Sequence, residues 1–276
     1  MQDIRGATVP ATGSSGALAI LERTRWHAPL KSHPLPLKRL LRLTPTAALV
    51  LACWGVVPPG RATPPLTPLA EPAGMALLAA SGQRADYGSL ADTFLTQANL
   101  AYCGVASSVM ALNSLAVPAP PASGYGAYRF WTQDNLFAAE ATRAVLAPAR
   151  VARRGMTLQQ LRALLASTGV KATAIHGSAI DLAAFRRLLR SSLADPGDRL
   201  LVNYLRPTIG QAGGGHISPL AAFHAPSDRV LLLDVARYRY PSVWVPVEAL
   251  WRAMRTLDSD SGLSRGLVVV SHAAAP

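Results

Sequence analysis

Four short apolar runs crowd the last third of the chain: RLLVNYL at 199–205, HISPLAAFH at 216–224, RVLLLDVA at 229–236 and RGLVVVSH at 265–272. Each is bounded by polar turn residues, and such short runs predict strands. Ahead of them the period changes to that of helices. From Cys103, the residues Val105, Val109 and Leu112, flanked by Ala106 and Met110, follow a three-four spacing that predicts an amphipathic helix closing near NSLAVPAPP. GMTLQQLRALLASTGV predicts a second helix, with Thr157 as N-cap and Gly169 as its stop, and DLAAFRRLLRSSL a third from an Asp181 cap. Helices first and consecutive strands afterwards predict an α+β domain with an antiparallel sheet.

The 276 residues, half of them hydrophobic, suffice for one domain with an appendage. Six prolines between Val57 and Ala73, with no hydrophobic period, read as an extended tether. The chain thus divides into an N-terminal extension at 1–57, a Pro-rich linker at 58–73 and a domain at 74–274. The net charge of +12 is uneven: residues 1–70 hold eight Lys/Arg against Asp3 and Glu22, giving +6, and the remaining 206 residues carry the other +6. That split, with no recognised motif, argues against a nucleic-acid partner. From Lys31 a basic stretch is followed by an apolar run from about Thr46 to Val57 and a Pro-Gly break, the order of a secretory signal. The run is short for a membrane span, which needs about 20 residues. VLAC, ending at Cys53, also has the form of a lipobox. Export, periplasmic or with membrane attachment through this segment, is the expectation; a buried helix in a cytoplasmic protein is the alternative.

Three readings are open for Cys103: a disulfide with Cys53, a small core residue, or a nucleophile. A helix N-terminus supplies partial positive charge and free N–H groups that favour a thiolate. His216 follows three glycines, Gly213 to Gly215, where backbone can pass close to a ligand. Asp234 ends the apolar run eighteen residues later, so a tight hairpin would set the two on adjacent strands. A thiol, a base and a group that orients the base are the requirements of covalent acyl transfer.

QANLAYCGVASSVMALNSL, YRFWTQDNLF, GQAGGGHISPLAAF and LLLDVARYRYPSVWVPVEALWRAM resemble the catalytic domain of phytochelatin synthases, particularly their short bacterial relatives, over about residues 80–272. The resemblance implies a papain-like cysteine peptidase fold, its nucleophile on a helical part packed against a sheet that carries the base. Cys103, His216 and Asp234 occupy the triad positions, and Gln97, six residues before the cysteine, that of an oxyanion-hole donor. It further implies glutathione as substrate. Asp258 and Arg265 match the positions that hold the γ-glutamyl zwitterion, Arg206 and Arg237 extend a cationic wall, and Gly215 lets backbone approach the ligand. Cleavage of the Cys-Gly bond would leave a γ-Glu-Cys acyl-enzyme. Hydrolysis to glycine and γ-Glu-Cys is the first reading, and transpeptidation to short phytochelatins the alternative. A non-catalytic glutathione or metal-thiolate binding module is the reading of another class. Eukaryotic members carry a cysteine-rich C-terminal region, whereas no cysteine follows residue 103 here. No cofactor and no structural metal are expected; a heavy metal such as Cd would enter as the metal-glutathione thiolate. A homodimer is compatible with all of this.

Overall fold

The computed structural model describes residues 65–273. The signal-like segment, Cys53 and the start of the Pro-rich stretch lie outside the described residues. The strands are β1 (Thr67–Pro68), β2 (Val170–His176), β3 (Asp198–Leu205), β4 (Gly215–His224), β5 (Arg229–Leu232), β6 (Val243–Pro246) and β7 (Gly266–His272). They form a seven-stranded sheet in the order β1-β6-β5-β4-β3-β7-β2. Every pairing is antiparallel, as the order of helices and strands predicts.

The helices are α1 (Pro72–Ala80), α2 (Tyr87–Asp92), α3 (Cys103–Ser114), α4 (Glu140–Val145), α5 (Pro148–Arg154), α6 (Leu158–Ala166), α7 (Leu182–Ser192) and α8 (Val247–Met254). Thr157 and Gln160 close a capping box at the start of α6, and the Asp181 carboxylate accepts from the Ala184 N–H at 2.7 Å to start α7. Gly169, at φ 88°, ends the turn after α6.

The sheet is covered on both faces, which explains why its central strands read as unbroken apolar runs. Leu201, Val268 and Val270 pack with Val109, Met110 and Leu161 on one face. Leu200, Val202 and Leu267 pack with Phe185, Leu189 and Leu250 on the other. α3 is not amphipathic in the expected sense, because every residue from Cys103 to Leu112 is buried. Its Gly, Ala and Ser positions let it lie between β4 on one side and α2 and α6 on the others. At its C-terminal end Arg199 donates to the Ser114 carbonyl at 2.9 Å and pairs with the buried Asp86 at 3.3 Å, so α2, α3 and β3 share one buried cation.

Two expectations need correction. Residues 65–73 belong to the folded domain: β1 pairs with Val243 and Trp244 of β6, the Leu69 N–H donates to the Ser242 carbonyl at 2.8 Å, and Pro72 sits in the first turn of α1. Prolines are tolerated there because an edge strand and a helix start both leave N–H groups without intrachain partners. The run at 229–236 also stops being strand at Leu232. The register of β4 with β5 shifts between Leu220 and Ala222, and the chain beyond leaves the ladder, carrying Asp234 out toward the end of β4 where His216 lies.

Candidate active site

Cys103 is the first residue of α3 and carries a free, buried thiol. Tyr102, at the N-cap, offers no side-chain acceptor, so the first N–H groups of the helix stay available around the sulfur. The next residue must be small. A Cβ at Gly104 would stand 2.6 Å from the Met156 sulfur and 3.1 Å from Cδ1 of Ile217. This close approach lets the Ser107 hydroxyl donate to the Ile217 carbonyl at 3.1 Å, joining α3 to β4 one residue from His216.

His216 lies at the start of β4, opposite Tyr204 of β3, whose ring meets the imidazole edge-to-face at 5.8 Å. Its Nε2 is 2.9 Å from Oδ1 of Asp234, which leaves Nδ1 for the thiol of Cys103, beside it in the cleft. Asp234 is fully buried and also accepts from the Ala236 N–H at 2.9 Å. Behind it, Arg206 donates through both terminal nitrogens, at 2.7 Å and 2.9 Å, in a bidentate pair. His216, Asp234 and Arg206 thus form one buried chain of alternating donors and acceptors, with the Cys103 thiol at its imidazole end.

The electrostatics follow from that chain. Burial pushes the Cys103 thiol up, but the charge and hydrogen bond of His216 and the N–H groups of Ile217 and Gly104 hold it below its ordinary value. Burial pulls His216 down, and the Cys103 charge together with the Asp234 hydrogen bond raises it above its ordinary value. Burial likewise pushes Asp234 up; His216 and Arg206 outweigh it and keep the carboxyl at about 2. These directions favour a thiolate-imidazolium pair steadied by a permanent carboxylate.

The sequence model of the family described as phytochelatin synthase matches residues 61–267. The chain is 31% identical over 212 residues to glutathione gamma-glutamylcysteinyltransferase 3 of Lotus japonicus, covering 76% of this chain and 43% of that protein. It is 32% identical to glutathione gamma-glutamylcysteinyltransferase 1 of Triticum aestivum, covering 76% and 41%. The glutathione gamma-glutamylcysteinyltransferase of Schizosaccharomyces pombe is 30% identical, over 68% of this chain and 44% of its own length. This chain belongs to the phytochelatin synthase family. It spans less than half the length of these curated relatives.

Of the residues that the phytochelatin synthase resemblance singles out, Asp258, Arg265 and Gly215 line one cleft of about 410 Å³ together with Cys103 and His216. Arg265 donates to Oδ1 of Asn203 at 3.2 Å, its Nε is buried without a partner, and among the described residues no carboxylate pairs with it. Gly215 makes that placement possible, since a Cβ there would stand 2.3 Å from a terminal nitrogen of Arg265. For a substrate held by Arg265, a Gly215→Ala variant is therefore expected to raise KM about ten-fold while remaining folded. An unchanged KM would show that Arg265 can give way without consequence.

Arg206 is not part of a substrate wall. It is 3% exposed, stacked under the Tyr240 ring at 4.8 Å and committed to Asp234 and Gln211, so its role is to fix the carboxylate. Arg237 is exposed but stacks over Phe94 at 5.0 Å, outside the cleft lining. Gln97 is buried with its backbone N–H bound to the Val235 carbonyl at 3.0 Å, beside Asp234. Its Nε2 donates to the Asn99 carbonyl at 2.6 Å and the Tyr238 hydroxyl at 3.1 Å.

YRFWTQDNLF holds that loop in place. Gln133 accepts from the Ala98 N–H at 2.8 Å and donates to the Thr96 carbonyl at 2.9 Å, and Trp131 is clamped by Asn113. Sequence reasoning missed Asn203, Asp260, Arg153 and Arg154 among the cleft residues. The basic cluster in RVARRG was the one local signal for the last two.

Proposed function

We propose that this domain transfers the γ-Glu-Cys unit of glutathione through a thioester on Cys103, using a papain-like arrangement of helix-borne thiol and sheet-borne base. The observation that carries the reading is the buried Cys103–His216–Asp234 chain at the floor of a cleft whose wall offers an unpaired guanidinium at Arg265 and a carboxylate at Asp258. A γ-glutamyl end has an ammonium for the acid and a carboxylate for the guanidinium.

The Cys103 thiolate attacks the carbonyl carbon of the Cys-Gly bond. The oxyanion is met by the Cys103 N–H at the helix start, and by Gln97 if the substrate oxygen replaces the exposed Tyr238 hydroxyl as acceptor; each such donor contributes about 3 kcal/mol in the transition state. The C–N bond breaks as His216 gives its proton to the departing glycine amine. The α-amine of a second glutathione then loses a proton to His216 and attacks the thioester, forming (γ-Glu-Cys)₂-Gly and restoring the thiol. Water in place of that amine would give free γ-Glu-Cys. The resemblance to the short bacterial members puts hydrolysis first; the names of the relatives, all transferases, favour transfer. Any heavy metal enters as the thiolate of the acceptor, as substrate.

Product analysis with glutathione, with and without Cd²⁺, tests this reading. The expected result is (γ-Glu-Cys)₂-Gly that increases relative to γ-Glu-Cys as glutathione is raised. Glycine and γ-Glu-Cys alone at every glutathione concentration would make the protein a hydrolase. Tight glutathione binding without turnover would make it a binding module.

A further inference from the structure

The cleft has a second cationic wall that the chemistry above does not use. Arg153 and Arg154 close α5 and line the cleft beside Cys103. Both are exposed, and among the described residues no ion pair engages either. Their position is built into the chain path. Gly155, at φ 69°, ends the helix and passes close to the Ala101 carbonyl, 3.5 Å from where a Cβ would stand, and Met156 then packs its sulfur against Gly104. The arginines are thereby anchored to the segment that carries the nucleophile, whereas Arg265 lies over Gly215 on the flank of the base. A helix C-terminus favours cations in its last turn, but that preference does not require both to face the cleft.

The two walls differ in sign pattern. Asp258, Asp260 and Arg265 come from one short segment and offer both charges; the α5 wall offers cations with no acid among the cleft residues. A ligand end carrying ammonium and carboxylate together fits the first wall, and an end carrying a carboxylate alone fits the second. Glutathione has one of each, the γ-Glu α-carbon at one end and the glycine carboxylate at the other. We propose that Arg153 and Arg154 bind the free C-terminal carboxylate of the residue to be released, so that the cleft selects peptides ending one residue after the scissile bond. This rests on the γ-Glu-Cys transfer proposed above. By holding the leaving glycine at its carboxylate, the pair would also keep its nitrogen in reach of His216.

The test compares glutathione with its C-terminal glycine amide, γ-Glu-Cys-Gly-NH₂, which keeps every group except that charge. Release of glycine or glycinamide is followed for the full chain and for the Arg153→Gln/Arg154→Gln variant. The unaltered protein should cleave glutathione about ten-fold more efficiently in kcat/KM, through KM. In the double variant the two peptides should differ by less than about two-fold, and Arg153→Lys/Arg154→Lys should restore most of the preference. Equal cleavage of both peptides by the unaltered protein, or a preference that survives in the Gln variant, would overturn the carboxylate site alone. No cleavage of either peptide by the unaltered protein would contradict the proposed reaction and this site with it.

Discussion

Cys103→Ala is expected to reduce glycine release from glutathione by about 10³-fold or more, to background, because in the proposed reaction the step that breaks the Cys-Gly bond runs through its sulfur. Cys103→Ser makes the sharper variant. It preserves size and a hydrogen bond to His216, so a cysteine needed only for packing would tolerate it. A serine hydroxyl at this position has no sulfur to ionise beside the imidazole, and the same loss is expected, measured by glycine release under saturating glutathione. Thermal melting should stay close to that of the unaltered protein in the Ser variant. A Ser variant that melts normally and turns over at more than about a tenth of the original rate would contradict a thiolate mechanism.

Asp234→Asn should lower kcat/KM by about 10²- to 10⁴-fold, with a shift in pH dependence that a packing defect would not produce. Burial opposes the charge on His216; the Cys103 thiolate and the Asp234 hydrogen bond hold its pKa up, while the thiol of Cys103 is held down. The active pair therefore exists between the lowered thiol and the raised imidazole. Activity should fall on the acid side as the thiolate takes a proton, and on the alkaline side as His216 loses the one it must give to glycine. Removing the carboxylate removes support for the imidazolium, so the alkaline limb should move to lower pH; rates across pH with a fixed glutathione concentration would show it.

Asp234 also bears on stability. Its carboxyl sits at about 2, below the ordinary 3.8, so its contribution is complete above about 4 and is lost as pH falls through the folded value. Because Asn at 234 leaves Arg206 buried without its anion, Asp234→Asn/Arg206→Met is the companion variant that separates stability from catalysis. A loss of activity with no movement of the alkaline limb would mean that Asp234 acts on the fold and not on His216.

The central strands were legible because they are covered on both faces: Leu200 to Val202 and Leu267 to Val270 bury nearly every side chain. β2 escaped notice for the converse reason. It is an edge strand, VKATAIH, with Lys171 and Thr173 exposed and, after the buried Val170, Ala172 and Ala174 on the inner side, too small to announce a face. The start of the domain was hidden by its prolines, which signal extension equally well in a tether and in an edge strand.

Within the site, Cys103, His216 and Asp234 were readable because each sits at the end of a recognisable element, where side chains converge. Arg206 was assigned to the wrong surface. Its bidentate partner lies 28 residues away, and an ion pair made across a fold leaves no spacing in the chain to find. Arg153 and Arg154 show in the chain only as a basic cluster; their place on the cleft, where α5 ends at Gly155 near the Ala101 carbonyl, leaves no spacing to find.

What unites these features in the proposed reaction is a thioester on one sulfur. Acid-quenched intact-mass measurement during turnover of glutathione tests that directly. The account predicts a γ-Glu-Cys adduct on the unaltered protein, mapped to Cys103 and absent from Cys103→Ala. Sustained glycine release by Cys103→Ala, or turnover by the unaltered protein with no adduct at any quench time, would contradict it.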